Sequence, residues 1–306
     1  MNNNSAGALL RAKREPKWKS PAFWGKWIWA FMRLVIIIGL SYMILHPIFL
    51  KVIASFMSVS DLTDPTVKYI PKEFTLEFLT EAIKRMNYFQ AMLNTLIISL
   101  LVSVAQLAVS SMAGYGFARF KFRGRNLLFA LTIFTLLVPF NVIQIPMFLR
   151  FRYFLPGVKL TGTFWPFVIL SLTGLGLKNG IYIYLMKNFF SGLPKELEEA
   201  AFIDGAGMLK TFLQVVLPNA RNMMLVVFIF SFTWQWTDYK VTSLFLGDVP
   251  ILSKAVTAIA SNTEGALVVS TLQNTACLLV ILPLIIIFLF TQRQLIQGIE
   301  RSGIVG

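Results

Sequence analysis

Cysteine and histidine are almost missing from this chain. One cysteine, Cys277, and one histidine, His46, occur in 306 residues. A disulfide framework needs paired cysteines, and a thiolate or imidazole metal site needs several ligands, so both are excluded. Each of the two residues lies in an apolar run, and His46, beside Pro47, reads as a structural or interfacial imidazole. Charge is scarce too. Asp, Glu, Lys and Arg make up 14% of the chain, where a soluble domain carries about 25%. Acids are the rarer sign, 14 against 28 Lys and Arg. No GxxxxGK followed by Ser or Thr occurs. Lys210-Thr211 lacks the Gly-rich loop that must precede it, so no Walker-type phosphate cradle is present. No internal repeat or low-complexity tract is found.

Apolar residues fill the space. They account for 56% of the chain, and its mean hydropathy is +0.69. Runs of about 20 apolar residues recur, each able to cross roughly 30 Å of hydrocarbon. The expected fold is an all-α polytopic membrane protein with six spans, at about 28–56, 94–117, 127–149, 165–187, 222–245 and 268–291. The first is over-long and holds Arg33, His46, Pro47 and Lys51, so it should extend beyond the bilayer or kink at Pro47. A basic tail over residues 1–27 (Arg11, Lys13, Arg14, Lys17, Lys19) runs into Trp18, Phe23, Trp24, Trp27 and Trp29. Basic residues followed by an aromatic cluster form a cytoplasmic membrane interface, not a nucleic-acid patch. No small-residue cleavage site follows the first apolar run, so a cleaved signal peptide is not expected.

The Lys and Arg distribution places both termini in the cytoplasm. The tail, the 118–126 loop (Arg119, Lys121, Arg123, Arg125), the 188–221 loop and the tail 292–306 then share that side. Arg150 and Arg152 run against the bias and would cap a span end. The segment 57–93 lies outside, with a short amphipathic helix expected over 76–91.

One loop stands apart from the spans. Residues 193–218, LPKELEEAAFIDGAGMLKTFLQVVLP, form a charged, helix-capable segment between two apolar runs. Pro194 suits a first helical turn, and Glu196, Glu198 and Glu199 favour the positive end of the helix dipole. Leu193, Leu197 and Ala201 fall on one stripe. Asp204-Gly205 breaks the helix, and a second short one, with Phe212, Val215 and Val216 on its apolar side, is expected to close at Leu217-Pro218. Such a helix pair could rest on the membrane surface or offer itself to a soluble partner.

The spacing adds to this. Glu199-Ala200-Ala201, three residues, Gly205, nine residues, Val215, one residue, Leu217-Pro218 resembles the EAA loop of bacterial ABC-importer permeases, with Val for the usual Ile. LPxELEEAAxIDGA is closest to the carbohydrate-uptake branch. Asn94-Thr95, the string Gly114-Tyr115-Gly116-Phe117-Ala118-Arg119-Phe120 with Phe122-Arg123-Gly124-Arg125, and the Gly-rich end from Gly298 to Gly306 extend the resemblance over nearly the whole chain, to the maltose-type second permease subunit. A Lys usual near the end of that tail is missing.

The resemblance implies a type I importer permease over 28–291, in a bacterial cell membrane and without catalytic activity or a cofactor of its own. It would pair with a second permease, an ATPase dimer that binds the ATP and Mg, and an extracellular solute-binding protein. Glu199, Ala200, Ala201, Asp204 and Gly205 would form the coupling helix that sits in an ATPase groove. Glu199 would meet basic or polar groups there, and the alanines would allow close approach.

Polar residues inside spans suggest a substrate path: Asn141 and Gln144 between Pro139 and Pro146, and Trp234, Gln235, Trp236 and Asp238. Aromatic faces stack on sugar rings, and amides or carboxylates bond hydroxyls. The same residues also suit interfacial anchoring and helix–helix contact. Thr237 stands where the family has Asn. The small residues Ser103, Ala108, Ser111, Gly114, Gly176 and Gly180 suit packing between the two permeases. A sugar or oligosaccharide is the expected cargo. A polyamine, phosphate or peptide is the alternative within the family, and an ion-coupled transporter or channel the alternative outside it.

Overall fold

A computed structural model describes residues 21–259 and 265–303. The basic cluster Arg11–Lys19 with Trp18, and the last residues of the Gly-rich tail, lie outside the described residues. No strand forms among those described, and helices follow one another from end to end. Two units separate, residues 1–74 and 75–306.

The first unit is α1 (Pro21–Ala54), α2 (Val59–Thr63) and the loop that follows. Residues 21–27, expected in the tail, are already helical. At 34 residues α1 is about 51 Å long, well past the hydrocarbon thickness. It runs through Pro47 without a helix end. Its ring of exposed apolar side chains marks a helix whose solvent is not water. After it, Ser58 caps α2 by accepting from the Asp61 N–H. Buried Asp61 accepts from the Glu73 N–H at 3.0 Å, and Lys72 pairs with Asp64. That hydrogen bond to the Lys72 ammonium holds the Asp64 carboxyl well below the usual carboxylate range.

The second unit is built on α4 (Tyr88–Arg119), 32 residues and about 48 Å long. The amphipathic helix expected over 76–91 is shorter: α3 (Glu77–Arg85) stops, and Asn87 turns the chain into α4 with φ 44°. Next come α5 (Arg125–Phe134), α6 (Phe140–Arg152), α7 (Trp165–Leu172) and α8 (Asn179–Gly192). The loop elements α9 (Glu196–Ile203), α10 (Met208–Thr211), a π-turn at Phe212–Val216 and α11 (Leu217–Asn219) follow. The chain ends with α12 (Arg221–Thr237), α13 (Lys240–Leu246), α14 (Leu252–Ala255) and the long α15 (Ala266–Gly303).

Three described helices are long and apolar enough to cross a membrane: Trp24–Ala54, Tyr88–Arg119 and Ala266–Ile296. The other three expected spans are not continuous. The segment 127–149 is split into α5 and α6, because Pro139 has no N–H to continue a ladder and takes an extended backbone. The segment 165–187 is split into α7 and α8. There Gly174, at φ 78°, closes α7 with the paired bonds of a Schellman motif: Leu175 N–H to Leu170 C=O and Gly174 N–H to Ser171 C=O. The segment 222–245 is split into α12 and α13 at Asp238. Hydropathy does not register such breaks, since the residues on both sides stay apolar.

Two apolar cores hold the second unit at opposite ends of α4. One gathers Tyr115, Tyr182, Met186, Phe190, Phe212 and Met223. The other gathers Ile98, Val102, Phe151, Phe167, Phe245 and Ile251. Between them lies a polar layer. Gln106 donates to the Leu177 carbonyl at 3.1 Å and accepts from the Ser231 hydroxyl. One amide thus ties α4 to the α7–α8 turn and to α12.

Asn94 and Thr95 fasten the start of α14, through the Pro250 carbonyl and the Leu252 N–H. Glycine sets the closest approach. A Cβ on Gly114 would stand 2.6 Å from that of Met186, and one on Gly180 2.8 Å from the Thr132 carbonyl. Gly114 and Gly180, with buried Ser103 and Ser111, therefore pack α4, α5 and α8 of this chain together. They are not held for a second permease, while Ala108 alone of the set faces outward.

Candidate functional site

The 193–218 segment folds as a bent pair of helices. Helix α9 ends in a second Schellman motif. Asp204 is its C-cap and Gly205 follows at φ 78°. The Ala206 N–H donates to the Ala201 C=O at 2.9 Å, and the Gly205 N–H to the Phe202 C=O at 3.1 Å. Only glycine takes this backbone without a Cβ penalty.

The second arm does not stop at Leu217-Pro218, as the sequence suggests. A π-turn over Phe212–Val216 carries it on to Asn219. The wider turn gives room for the ring of Pro218 and its missing N–H. Only then does the axis swing by 79° into α12.

One face of this pair is anchored. Glu198 is 8% exposed. Its carboxylate accepts from Arg119 Nε at 2.6 Å and from the Tyr115 hydroxyl at 3.0 Å. Arg119 also donates to the Leu193 carbonyl at 2.8 Å. Tyr115 and Arg119 lie one turn apart at the end of α4, so one helix face supplies both partners. Phe212 and Val216 insert into the core beside Tyr115, whose ring lies 4.8 Å from that of Phe212. The sequence reading treats Glu198 only as a dipole charge. The available signal was the i, i+4 pair of Tyr115 and Arg119 in the same string as the family match.

The other face is open. Glu199, Ala200, Asp204 and Gly205 are exposed, together with Leu197, Phe202, Met208, Leu209 and Leu213. Ile203 is 86% exposed at the tip. Ala201 is buried, so its small side chain serves packing inside the chain rather than approach by a partner. The expected stripe of Leu193, Leu197 and Ala201 is not the buried one: Leu197 is exposed, and Glu198 with Ala201 forms the inward face.

A second feature lies where the broken helices meet. The 135–139 break, the 173–178 turn and the end of α12 line a cavity of about 910 Å³. Irregular backbone at membrane depth is tolerated where it is buried in protein or lines a wet cavity. Of the residues expected on a substrate path, Gln235 alone lines it. Asn141 is exposed and Gln144 half-buried on α6. Trp236 is buried and donates to the Val280 carbonyl at 3.0 Å, so it ties α12 to α15. Asp238 caps α13, accepting from the Thr242 N–H at 2.7 Å and its hydroxyl at 2.8 Å. Trp234 is exposed, with the Lys178 ammonium 5.2 Å from its ring centre. Lys178, Asn179 and Arg150 line the cavity and had no place in the expected path.

A helical chain with several apolar spans, a loop anchored on one face and open on the other, and a cavity where its broken helices meet fits a membrane transport component. Residues 106–301 match the family described as "Binding-protein-dependent transport system inner membrane component", and the chain belongs to it. It is thus a multi-pass protein of the inner membrane and part of a binding-protein-dependent system. It is 34% identical over 244 residues to the osmoprotective compounds uptake permease protein GgtD of Synechocystis, covering 78% of this chain and 79% of that one. It is 30% identical to the maltodextrin transport system permease protein MdxG of Bacillus subtilis, over 76% of this chain and 81% of that one. The match to the alpha-glucoside permease AglG of Rhizobium meliloti, at 29%, covers 77% of this chain and 62% of that longer protein. Among solved structures, a bacterial ABC transporter involved in the import of the acidic polysaccharide alginate superposes with a TM-score of 0.70 at 23% identity. That match covers 88% of this chain and 97% of the other, and it shows the shared fold.

Proposed function

We propose that this chain is the permease subunit of an ATP-driven importer for a sugar or oligosaccharide. It works beside a second permease, an ATPase dimer and an extracellular solute-binding protein. The carrying observation is the loop 193–218. Its inner face is fixed by a buried ion pair, while its outer face presents Glu199, Ala200 and an apolar tip with no cover of its own. Exposed apolar side chains rimmed by charge mark a protein contact. ATPase closure would push this knuckle, and the knuckle would move the helices that carry it. Six membrane passes follow if each broken pair, 125–152, 165–192 and 221–246, counts as one. The basic loops and both termini then lie on the ATPase side. The maltodextrin and alpha-glucoside permeases among its relatives support a carbohydrate cargo.

Purification of the tagged protein in mild detergent tests the assembly. A second permease and a Walker-motif ATPase should co-elute, and elution of the chain alone would refute it. In proteoliposomes, Glu199→Lys and Gly205→Pro should abolish stimulated ATP hydrolysis and uptake while the spans still insert. Normal coupling in both variants would remove the docking assignment.

A further inference from the structure

The names of the relatives leave the charge of the cargo open, since one transports maltodextrin and another sn-glycerol-3-phosphate. The cavity carries information on that point. Its lining is largely apolar, yet two cations, Arg150 and Lys178, border it and no acid does among the described residues. Arg150 stands in the last turn of α6, at a span end, while Lys178 lies between α7 and α8 inside an expected span, where a cation is costly and normally pairs with an acid or marks a solute pathway. The nearest acid along α12, Asp238, already accepts the Thr242 N–H and hydroxyl.

Lys178 is also held in a left-handed backbone, φ 61°, which a non-glycine residue adopts only under constraint from its surroundings. Its ammonium lies against the Trp234 ring. Two amides complete the site. Asn179 is 1% exposed and its Oδ1 lacks a hydrogen-bond partner; Gln235 is 4% exposed and its Nε2 lacks one. A buried, unpaired amide group costs about 1–3 kcal/mol, so both groups gain when a polar solute arrives.

We infer that the cavity between the broken helices is a binding site for a hydroxylated solute that carries an oxyanion group. Lys178 and Arg150 take the anion, Gln235 Nε2 donates to an oxygen, and Asn179 Oδ1 accepts from a hydroxyl. The apolar lining suits the C–H surface of a sugar ring. The volume of about 910 Å³ falls at the upper end of the roughly 300–1,000 Å³ range of small-ligand pockets. It admits a short charged glycan. This inference rests on the importer reading and names the class of cargo.

The test uses the complete importer, with its own binding protein, in proteoliposomes. ATP-driven uptake is measured for a uronate-containing disaccharide, a sugar phosphate and the neutral counterpart of each. The anionic probes should be taken up at least tenfold faster than the neutral ones, and the better of the two identifies carboxylate or phosphate as the anion read. Lys178→Met should cut anionic uptake about tenfold, with Lys178→Arg restoring most of it. Arg150→Gln should lower it further in combination. Equal or faster uptake of the neutral probes, or full anionic uptake in Lys178→Met, overturns the inference and leaves the importer reading intact. ATP-independent behaviour toward all four probes in the wild type overturns the importer reading, and the inference with it.

Discussion

Arg119→Ala is the sharpest way to separate the loop's anchor from its docking face. The substitution removes the 2.6 Å bond to Glu198 and the 2.8 Å bond to the Leu193 carbonyl. It also leaves a carboxylate that is 8% exposed with the Tyr115 hydroxyl as its remaining partner. Breaking a buried ion pair from one side costs about 3–5 kcal/mol, most of it from the stranded charge. At 1.4 kcal/mol per factor of ten, that is a shift of roughly 10²–10⁴ in the docked population of α9.

The loss should be local. Phe212 and Val216 stay in the apolar core, so the second arm keeps its seat while the first swings free. Hydrogen exchange should therefore quicken over 193–206 and remain unchanged over 212–237. Stimulated ATP hydrolysis should fall with uptake, although membrane insertion is normal. Arg119→Ala combined with Glu198→Leu should recover much of the protection, because an apolar pair removes the stranded charge. Unchanged exchange over 193–206 in the single variant, or full coupling despite faster exchange, would refute the claim that the ion pair positions the loop.

Three further outcomes follow from the geometry. Gly205→Val places a β-branched residue at φ 78°, at a cost of roughly 1–2 kcal/mol. Coupling should drop and Gly205→Asn should retain more of it, as measured by stimulated ATP hydrolysis. Gly114→Val forces a contact inside 3 Å with Met186 and should lower the thermal unfolding temperature in detergent, before any change in cargo preference. Trp236→Phe loses the bond to the Val280 carbonyl, a net loss of about 0.5–1.5 kcal/mol. It should lower stability while the KM for every cargo stays the same, whereas a KM change confined to one cargo would return Trp236 to the solute path.

The helical class, the apolar runs and the loop with its break at Asp204-Gly205 were legible because each rests on local chemistry. Glycine at a C′ position and acids in a first turn act within a few residues. The three broken spans were not legible as breaks. Gly174 and Pro139 were in view, but a 20-residue apolar window averages over them, and the lining of a cavity is a property of where distant breaks meet. The role of Glu198 depends on Arg119, 79 residues away; the i, i+4 placement of Tyr115 and Arg119 marks a face of α4 but does not say which acid meets it. Trp236 and Asp238 were drawn to a solute path by residue type. Their actual partners, the Val280 carbonyl and the start of α13, are tertiary facts.

The 79° turn at Ala220 has a mechanical result. Helix α12 is one unbroken rod of 17 residues, about 25 Å long. Its first residues follow the loop's second arm after one non-helical residue, Ala220, and its last turn carries Gln235 on the cavity wall. A bent piece of this kind acts as a crank: a sideways push on its short arm becomes a tilt of the long one. The turn at Ala220 thus sets the angle at which force applied to the loop reaches the cavity. A change in that angle would alter the stroke of the machine without touching either end.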